Sequence, residues 1–292
     1  MKDVEADLQD QITRYLSNQE WNDLTDQVNR LANDPQPNTL ARVFTGVPRT
    51  IRSADAGLRI TFDGAVSVGS GRLPLLIKDW PLARLIRVWV LMNIPKLELS
   101  AYISLIERLF QYGEMEELAA LYAALPIYHY PTEWRFRCTE GVRSNMAPVR
   151  RAVILNNSYP SHFLDEGAWN QLVLKAFFTD EDIVQIIGLK TRNNGKLAGA
   201  LVDYAYELYA AKRNINPFLW ILVAPFLDER AYRLMEQIIQ ESQQTLTRKA
   251  IAYAFETGNF APATDFITRN SELTDLKNTA GTPWDGWLNQ TE

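Results

Sequence analysis

Glu166-Gly167-Ala168-Trp169-Asn170-Gln171-Leu172-Val173-Leu174-Lys175-Ala176-Phe177-Phe178 is the stretch that decides how this chain folds. Trp169, Leu172, Val173 and Ala176 recur at helical spacing and make one apolar face. Leu174, Phe177 and Phe178 cover much of the rest. A helix apolar on nearly every side belongs in the interior of a larger helical body. Asn170, Gln171 and Lys175 must then meet other protein groups or a pocket, because an unpaired buried polar group costs about 1–3 kcal/mol.

The same periodicity extends outward in both directions. Towards the N-terminus, Leu8, Ile12, Tyr15 and Leu16, then Trp21, Leu24, Val28 and Leu31, recur every three or four residues. Asp34, Pro35 and Pro37 stop the pattern. A short third helix, Asn38 to Val43, leads to Gly46, Val47 and Pro48. From Trp80 to Asn270 the chain reads as a succession of helices, among them Thr132–Asn145, Pro148–Leu155, Glu181–Ile187 and Gly195–Lys212, joined mostly by short loops. Between these regions Leu58, Ile60 and Phe62 alternate with polar residues, Asp63-Gly64 follows, and Val66 and Val68 alternate again, which predicts a small β-hairpin over 58–68. The expected fold is all-α: stacked helix pairs in a right-handed array like HEAT or armadillo folds, forming one helical domain over 1–270. Residues 271–292 lose the periodicity and read as an irregular tail, though Trp284 and Trp287 in it are larger apolar groups than a solvated tail needs.

Composition removes several function classes. A formal net charge of −5 lacks the basic footprint that phosphate neutralisation demands, so nucleic acid is not an expected partner. The single cysteine, Cys138, has no intrachain partner and fits a reducing compartment. The acidic start Met1-Lys2-Asp3-Val4-Glu5 lacks the pattern of a secretory signal, and the longest nearly apolar run, Phe218 to Leu227, is far short of the roughly 20 residues that span a bilayer. We therefore expect a cytoplasmic protein that meets membranes only through a partner. The chain has two histidines, His129 and His162, too few for an ordinary zinc centre. The glycines near Gly69 and Gly71 lack the lysine and spacing of a phosphate-binding loop. Asp203 and Glu207 share a helix face as paired carboxylates do, but nearby Arg192, Lys196 and Arg213 favour ion pairing over catalysis. Cys138, within Arg137-Cys138-Thr139, matches no nucleophile motif and reads as a buried structural thiol. No catalytic residue, metal or cofactor is expected.

The unusual segment is Gly141 to Lys175, where polar residues sit among apolar ones. In a structural reading they satisfy loop carbonyls and helix ends. In a binding reading they line a cavity in which a few convergent polar groups set a ligand's orientation. The candidate ligand-binding residues are Arg143, Asn145, Asn157, Tyr159, Asp165, Trp169, Asn170 and Lys175, with Arg192, Asp203 and Glu207 downstream.

Several segments together resemble one family. Ala120 to Leu125 with Tyr130-Pro131, Glu140-Gly141-Val142-Arg143-Ser144-Asn145-Met146, Asn156-Asn157-Ser158-Tyr159-Pro160 and Asp165 to Ala176 are similar to the central motifs of EboA proteins. Ile187-Gly188-Leu189, Arg192, Leu197-Ala198, Asp203-Tyr204-Ala205, Glu207, Ala210-Ala211, Pro217 and Leu219-Trp220 continue the same order. Upstream, Phe44-Thr45-Gly46-Val47-Pro48-Arg49 resembles the family's early Pro-Arg motif. The resemblance covers about Arg42 to Asp265. Tyr206, Lys190 and Leu164 stand where the family favours a histidine, an acid and an aromatic. The resemblance implies a helical cytoplasmic protein that acts with other Ebo-type proteins, including a membrane prenyltransferase-like partner, in moving a secondary-metabolite precursor. It implies no catalytic residue. The resulting expectation is a non-catalytic binding or adaptor protein for a small hydrophobic metabolite. The alternatives are an enzyme of the same pathway using Arg143, Lys175, Asp203 or Glu207, and a helical scaffold that grips peptides.

Overall fold

A computed structural model of the chain describes residues 4–50, 58–66, 71–270 and 273. Apart from Leu273, the expected tail with Trp284 and Trp287 lies outside the described residues, as do positions 67 and 68 of the expected hairpin. The all-α class holds, with a small β-element in the predicted region.

By contact the chain forms two compact units, Met1–Leu172 with Gln185–Ile187, and Val173–Val184 with Gly188–Glu292. The first unit begins with α1 (Val4–Thr13), α2 (Asn18–Asn33) and α3 (Pro37–Thr50). Helix α2 starts at a capping box, in which the Ser17 backbone N–H donates to Glu20 Oε2 at 2.8 Å and the Glu20 N–H donates to Ser17 Oγ. Leu24, Val28 and Leu31 form its buried face, and α2 packs on α3.

Helix α3 is longer than expected. Gly46 and Pro48 read as its end, yet it runs on to Thr50 with Pro48 inside. A proline removes the N–H that would bond the carbonyl four residues earlier, here that of Phe44. That carbonyl instead accepts from Arg87 Nε at 3.2 Å. Arg87 is 4% exposed and also pairs with Glu117 at 3.4 Å.

The hairpin is present with a different turn. Strands β1 (Arg59–Ile60) and β2 (Ala65–Val66) form the outgoing arm, and β3 (Leu75–Leu76) and β4 (Trp80–Pro81) the returning one. Arg59 faces Pro81 and Ile60 faces Trp80, while Ala65 faces Leu76 and Val66 faces Leu75. The arms thus fold back beyond residue 66 and not at Asp63-Gly64. From Ile60 to Ala65 is a step of five and from Leu76 to Trp80 a step of four, so Asp63-Gly64 accommodates one extra residue, with Gly64 at φ 88°.

Helices α4 (Leu82–Met92), α5 (Leu99–Tyr112), α6 (Met115–Ala123), α7 (Arg135–Arg143) and α8 (Ala147–Ile154) build the core of this unit. Ala119 to Ala123 are buried, and the small side chains of Ala119, Ala120 and Ala123 let α6 lie against both α4 and α8. Helix α7 crosses closely at Gly141, where a Cβ would sit 2.5 Å from Val153 Cγ2 and 2.7 Å from Tyr122 Cε1. A short helix not expected from sequence, α9 (Tyr159–Phe163), precedes α10 (Glu166–Phe178), within which the division between units falls.

In the second unit the expected helix Glu181–Ile187 reduces to a 3-10 turn at Ile183–Gln185, whose last residue is grouped with the first unit. Helices α11 (Gly195–Ala210), α12 (Phe218–Val223), α13 (Glu229–Glu241), α14 (Thr245–Thr257) and α15 (Ala261–Arg269) follow. All six residues of α12 are buried, and α11 and α14 pack against it. Asn194 and Asp228 cap α11 and α13 by accepting from Leu197 and Ala231 N–H groups at 2.9 and 2.8 Å.

Candidate functional site

The residues singled out from sequence have separate environments. Arg143 and Asn145 are exposed at the end of α7 and just after it. Asn157 is buried and satisfied three times: its Nδ2 donates to the Tyr122 and Ala152 carbonyls at 3.1 and 2.9 Å, and its Oδ1 accepts from Tyr159 N–H at 3.0 Å. Tyr159 is fully buried, and its hydroxyl donates to the Pro131 carbonyl. Asp165 starts α10, accepting from Ala168 N–H at 2.8 Å. Trp169 is buried and Asn170 half-buried. In the second unit Lys175 and Arg192 are half-buried, while Asp203 and Glu207 lie exposed on α11. Asp203 pairs with Arg230 of α13 at 2.5 Å, and the Arg230 guanidinium lies 4.9 Å from the centre of the Tyr206 ring. The structure joins Asn157 to Tyr159 directly, and ion pairing occupies Asp203.

The polar motif at 156–160 leads to a turn that sequence reasoning did not single out as a site. Residues Tyr128 to Pro131 follow α6, and Tyr130 has φ 56° and ψ 57°. A bulky residue in the left-handed region is an outlier that costs about 1–3 kcal/mol and persists only where its surroundings over-determine it. Here they do. Tyr130 Oη donates to the Leu97 carbonyl at 2.6 Å, Trp134 Nε1 donates to the His129 carbonyl at 2.9 Å, and Tyr159 holds the Pro131 carbonyl. Asn157 ties the same region to the end of α6 through Tyr122.

His129 is the polar centre of this turn. Arg72 Nη2 lies 3.1 Å from His129 Nε2. Arginine can only donate, so Nε2 is the acceptor and the neutral ring carries its proton on Nδ1. The other donations of Arg72 reach the Met92 carbonyl at 3.4 Å. Burial, then the positive charges of Arg72 and Lys96, hold the His129 pKa below the usual histidine range. Tyr102 packs edge-on against the imidazole at 5.1 Å and accepts from the His129 backbone N–H at 3.4 Å. Burial pushes the Tyr102 phenol up to about 12. Arg72 is 57 residues from His129 and Leu97 is 33 from Tyr130, separations that no local pattern reveals. The one signal in the sequence was Tyr130-Pro131.

Two open clefts lie elsewhere. One of about 710 Å³ in the first unit is lined by Ser104, Glu107, Arg108, Phe110 and Arg137 among others. Arg137 donates there to Glu107 and Glu140, and the hydrogen bonds to Glu107 raise its pKa above the ordinary arginine value. The other, of about 520 Å³, lies in the second unit between the ends of α11, α13 and α14, with Tyr209, Lys212, Glu241 and Thr247 among its lining. Neither is lined by a residue expected to bind ligand. Among the described residues no three His, Cys, Asp or Glu side chains cluster as metal ligands would, and no helix is long and apolar enough to cross a membrane.

A family model described as metabolite traffic protein EboA matches residues 4–224. The chain belongs to the EboA family. No curated protein and no solved structure is matched. The EboA match takes in the His129 turn, the Asn157–Tyr159 brace and the Phe44–Arg87 contact, and ends just after α12. Arg230, which pairs with Asp203, lies beyond it.

Proposed function

We propose that this chain is a non-catalytic binding protein that holds a small hydrophobic secondary-metabolite precursor and hands it on in the cytoplasm. In this reading it acts with other Ebo-type proteins, including a membrane prenyltransferase-like partner. The observation that carries the proposal is the metabolite-traffic family match over residues 4–224. The braced turn at His129–Pro131 supports it. Strain maintained by hydrogen bonds from three surrounding segments fixes side chains in advance, and such pre-organisation lowers the cost of binding.

Native mass spectrometry of the gently purified chain from a host carrying its partners tests the proposal. A copurifying small molecule, or a copurifying Ebo-type protein, is the expected result. Lys175→Ala and Asn170→Ala then ask whether the central segment contributes, by lowering small-molecule occupancy at unchanged melting temperature. A chain that emerges with neither molecule nor partner overturns the reading. Turnover of a precursor by the isolated chain would replace it with an enzymatic one.

A further inference from the structure

Three side chains that carry or can accept positive charge converge beside the strained turn of the first unit. Arg72 comes from the segment entering β3, Lys96 from the connection between α4 and α5, and His129 from the turn itself. The Arg72 guanidinium touches His129 Nε2 at 3.1 Å, and Lys96 Nζ lies 5.5 Å from the centre of the Tyr130 ring. The charges acting on His129 are those of Arg72 and Lys96, both positive. The remaining titratable neighbours are phenols, Tyr102 of α5 and Tyr130 of the turn. Among the described residues, none of the hydrogen-bond, ring or charge partners of this trio is a carboxylate.

Like charges this close are unfavourable in a half-buried setting. The imidazole escapes the conflict by staying neutral and accepting from Arg72. A bound anion inverts that balance. The guanidinium fork suits the two oxygens of a carboxylate or phosphate, and the ammonium adds a point charge. His129, once protonated, becomes a donor. We propose that Arg72, Lys96 and His129 form a binding site for the oxyanion of a small molecule, a carboxylate or a phosphate group. Binding takes up one proton from solvent at His129 Nε2, and the Arg72 N–H that this nitrogen had accepted turns to the anion. The clamps on the His129 and Pro131 carbonyls, with the Tyr130 hydroxyl bond to the Leu97 carbonyl, hold the turn in place before the anion arrives. The site stands on the geometry of the first unit alone and does not depend on the traffic reading, which native mass spectrometry tests separately.

The chain has two histidines, so proton NMR of the full chain yields two imidazole titration curves. His162, whose Nδ1 lies 2.8 Å from the Ser158 carbonyl oxygen, serves as the internal reference. Sodium sulfate represents a tetrahedral oxyanion and sodium acetate a carboxylate, with sodium chloride at equal ionic strength as the control for simple screening. The expected result is a His129 pKa higher in sulfate or acetate than in chloride by about half a unit or more, on the order of a threefold gain in proton affinity. His162 keeps its chloride curve. Lys96 is exposed, so Lys96→Met leaves the fold intact and abolishes most of the response. A response to sulfate alone assigns the site to phosphate-like groups, and a response to acetate assigns it to carboxylates. A His129 pKa that moves no further in either salt than in chloride overturns the proposal. So does an equal shift at His162, or a full response in Lys96→Met.

Discussion

Arg87→Met tests whether a distant side chain carries helix α3 across its internal proline. Methionine keeps much of the stem's volume and removes the guanidinium. Two groups then lose their partner. The Phe44 carbonyl, which Pro48 leaves without an intrahelical donor, loses the bond from Arg87 Nε at 3.2 Å, a loss of about 1–3 kcal/mol for a buried acceptor. The Glu117 carboxylate, 12% exposed, loses its cation at 3.4 Å, and removing one member of a buried pair costs about 3–5 kcal/mol. These losses share one side chain and do not add, so the expected destabilisation is roughly 3–5 kcal/mol. A second substitution isolates the first loss. Pro48→Ala restores an N–H positioned to bond the Phe44 carbonyl within the helix. In that background Arg87→Met should cost about 1 kcal/mol less than in the native chain. Urea unfolding of the four chains, compared by midpoint where the m value is unchanged, measures both quantities. An Arg87→Met cost below about 1 kcal/mol, or the same cost in both backgrounds, would refute the reasoning.

Other consequences follow from burial and packing. Gly141→Ala forces a methyl group to within 2.5 Å of Val153 Cγ2, and overpacking of this kind should lower stability by about 1–3 kcal/mol in thermal melts. The Cys138 thiol is fully buried and its pKa is pushed far up by desolvation, so a thiol reagent at neutral pH should label it only on unfolding. Burial raises the pKa of Tyr102 and Tyr122 to about 12, and raises Tyr128 and Tyr159 as well. Folding therefore favours their neutral forms. The stabilisation is complete below the unfolded value near about 10 and declines as pH rises towards about 12. Phenolate absorbance of these groups should appear together with loss of helical circular dichroism, and phenolate formation in a chain that stays folded would contradict this. Asp203→Asn removes a pair whose side chains are 60% and 54% exposed, and its cost should stay within about 1 kcal/mol.

The readings that succeeded rest on local rules. Helix α10 has the predicted limits because Asp165 caps its start and the apolar spacing carries through to Phe178. Asn157 and Tyr159 are candidate ligand-binding residues by sequence, and in the structure their side chains are paired with the Tyr122, Ala152 and Pro131 carbonyls. Where the reading failed, a distant group had overruled the local signal. Pro48 marks a stop unless something else serves the Phe44 carbonyl, and the donor is 43 residues away. Asp63-Gly64 marks a hairpin turn, but the pairing of Ala65 and Val66 with Leu76 and Leu75 moves the turn downstream and leaves Gly64 to absorb an extra residue. The Arg72, Lys96 and His129 cluster had no local signal, since its members come from three separate segments.

The choice of tyrosine at position 130 is informative about the turn. Glycine would adopt φ 56° without a Cβ penalty, and the two clamps on neighbouring carbonyls, donated by the Trp134 and Tyr159 side chains, do not involve the side chain at position 130 and would survive it. What tyrosine adds over glycine is its hydroxyl bond to Leu97, worth about 1 kcal/mol, and ring contacts with Tyr102 at 6.0 Å and with the Lys96 ammonium. That bond fixes the residue next to Lys96, and the Tyr130 ring lies under the Lys96 ammonium. Tyrosine at this position therefore holds a cation beside the turn, which glycine would not do. The strain of the turn is thus tied both to packing against Tyr102 and to the placement of charge.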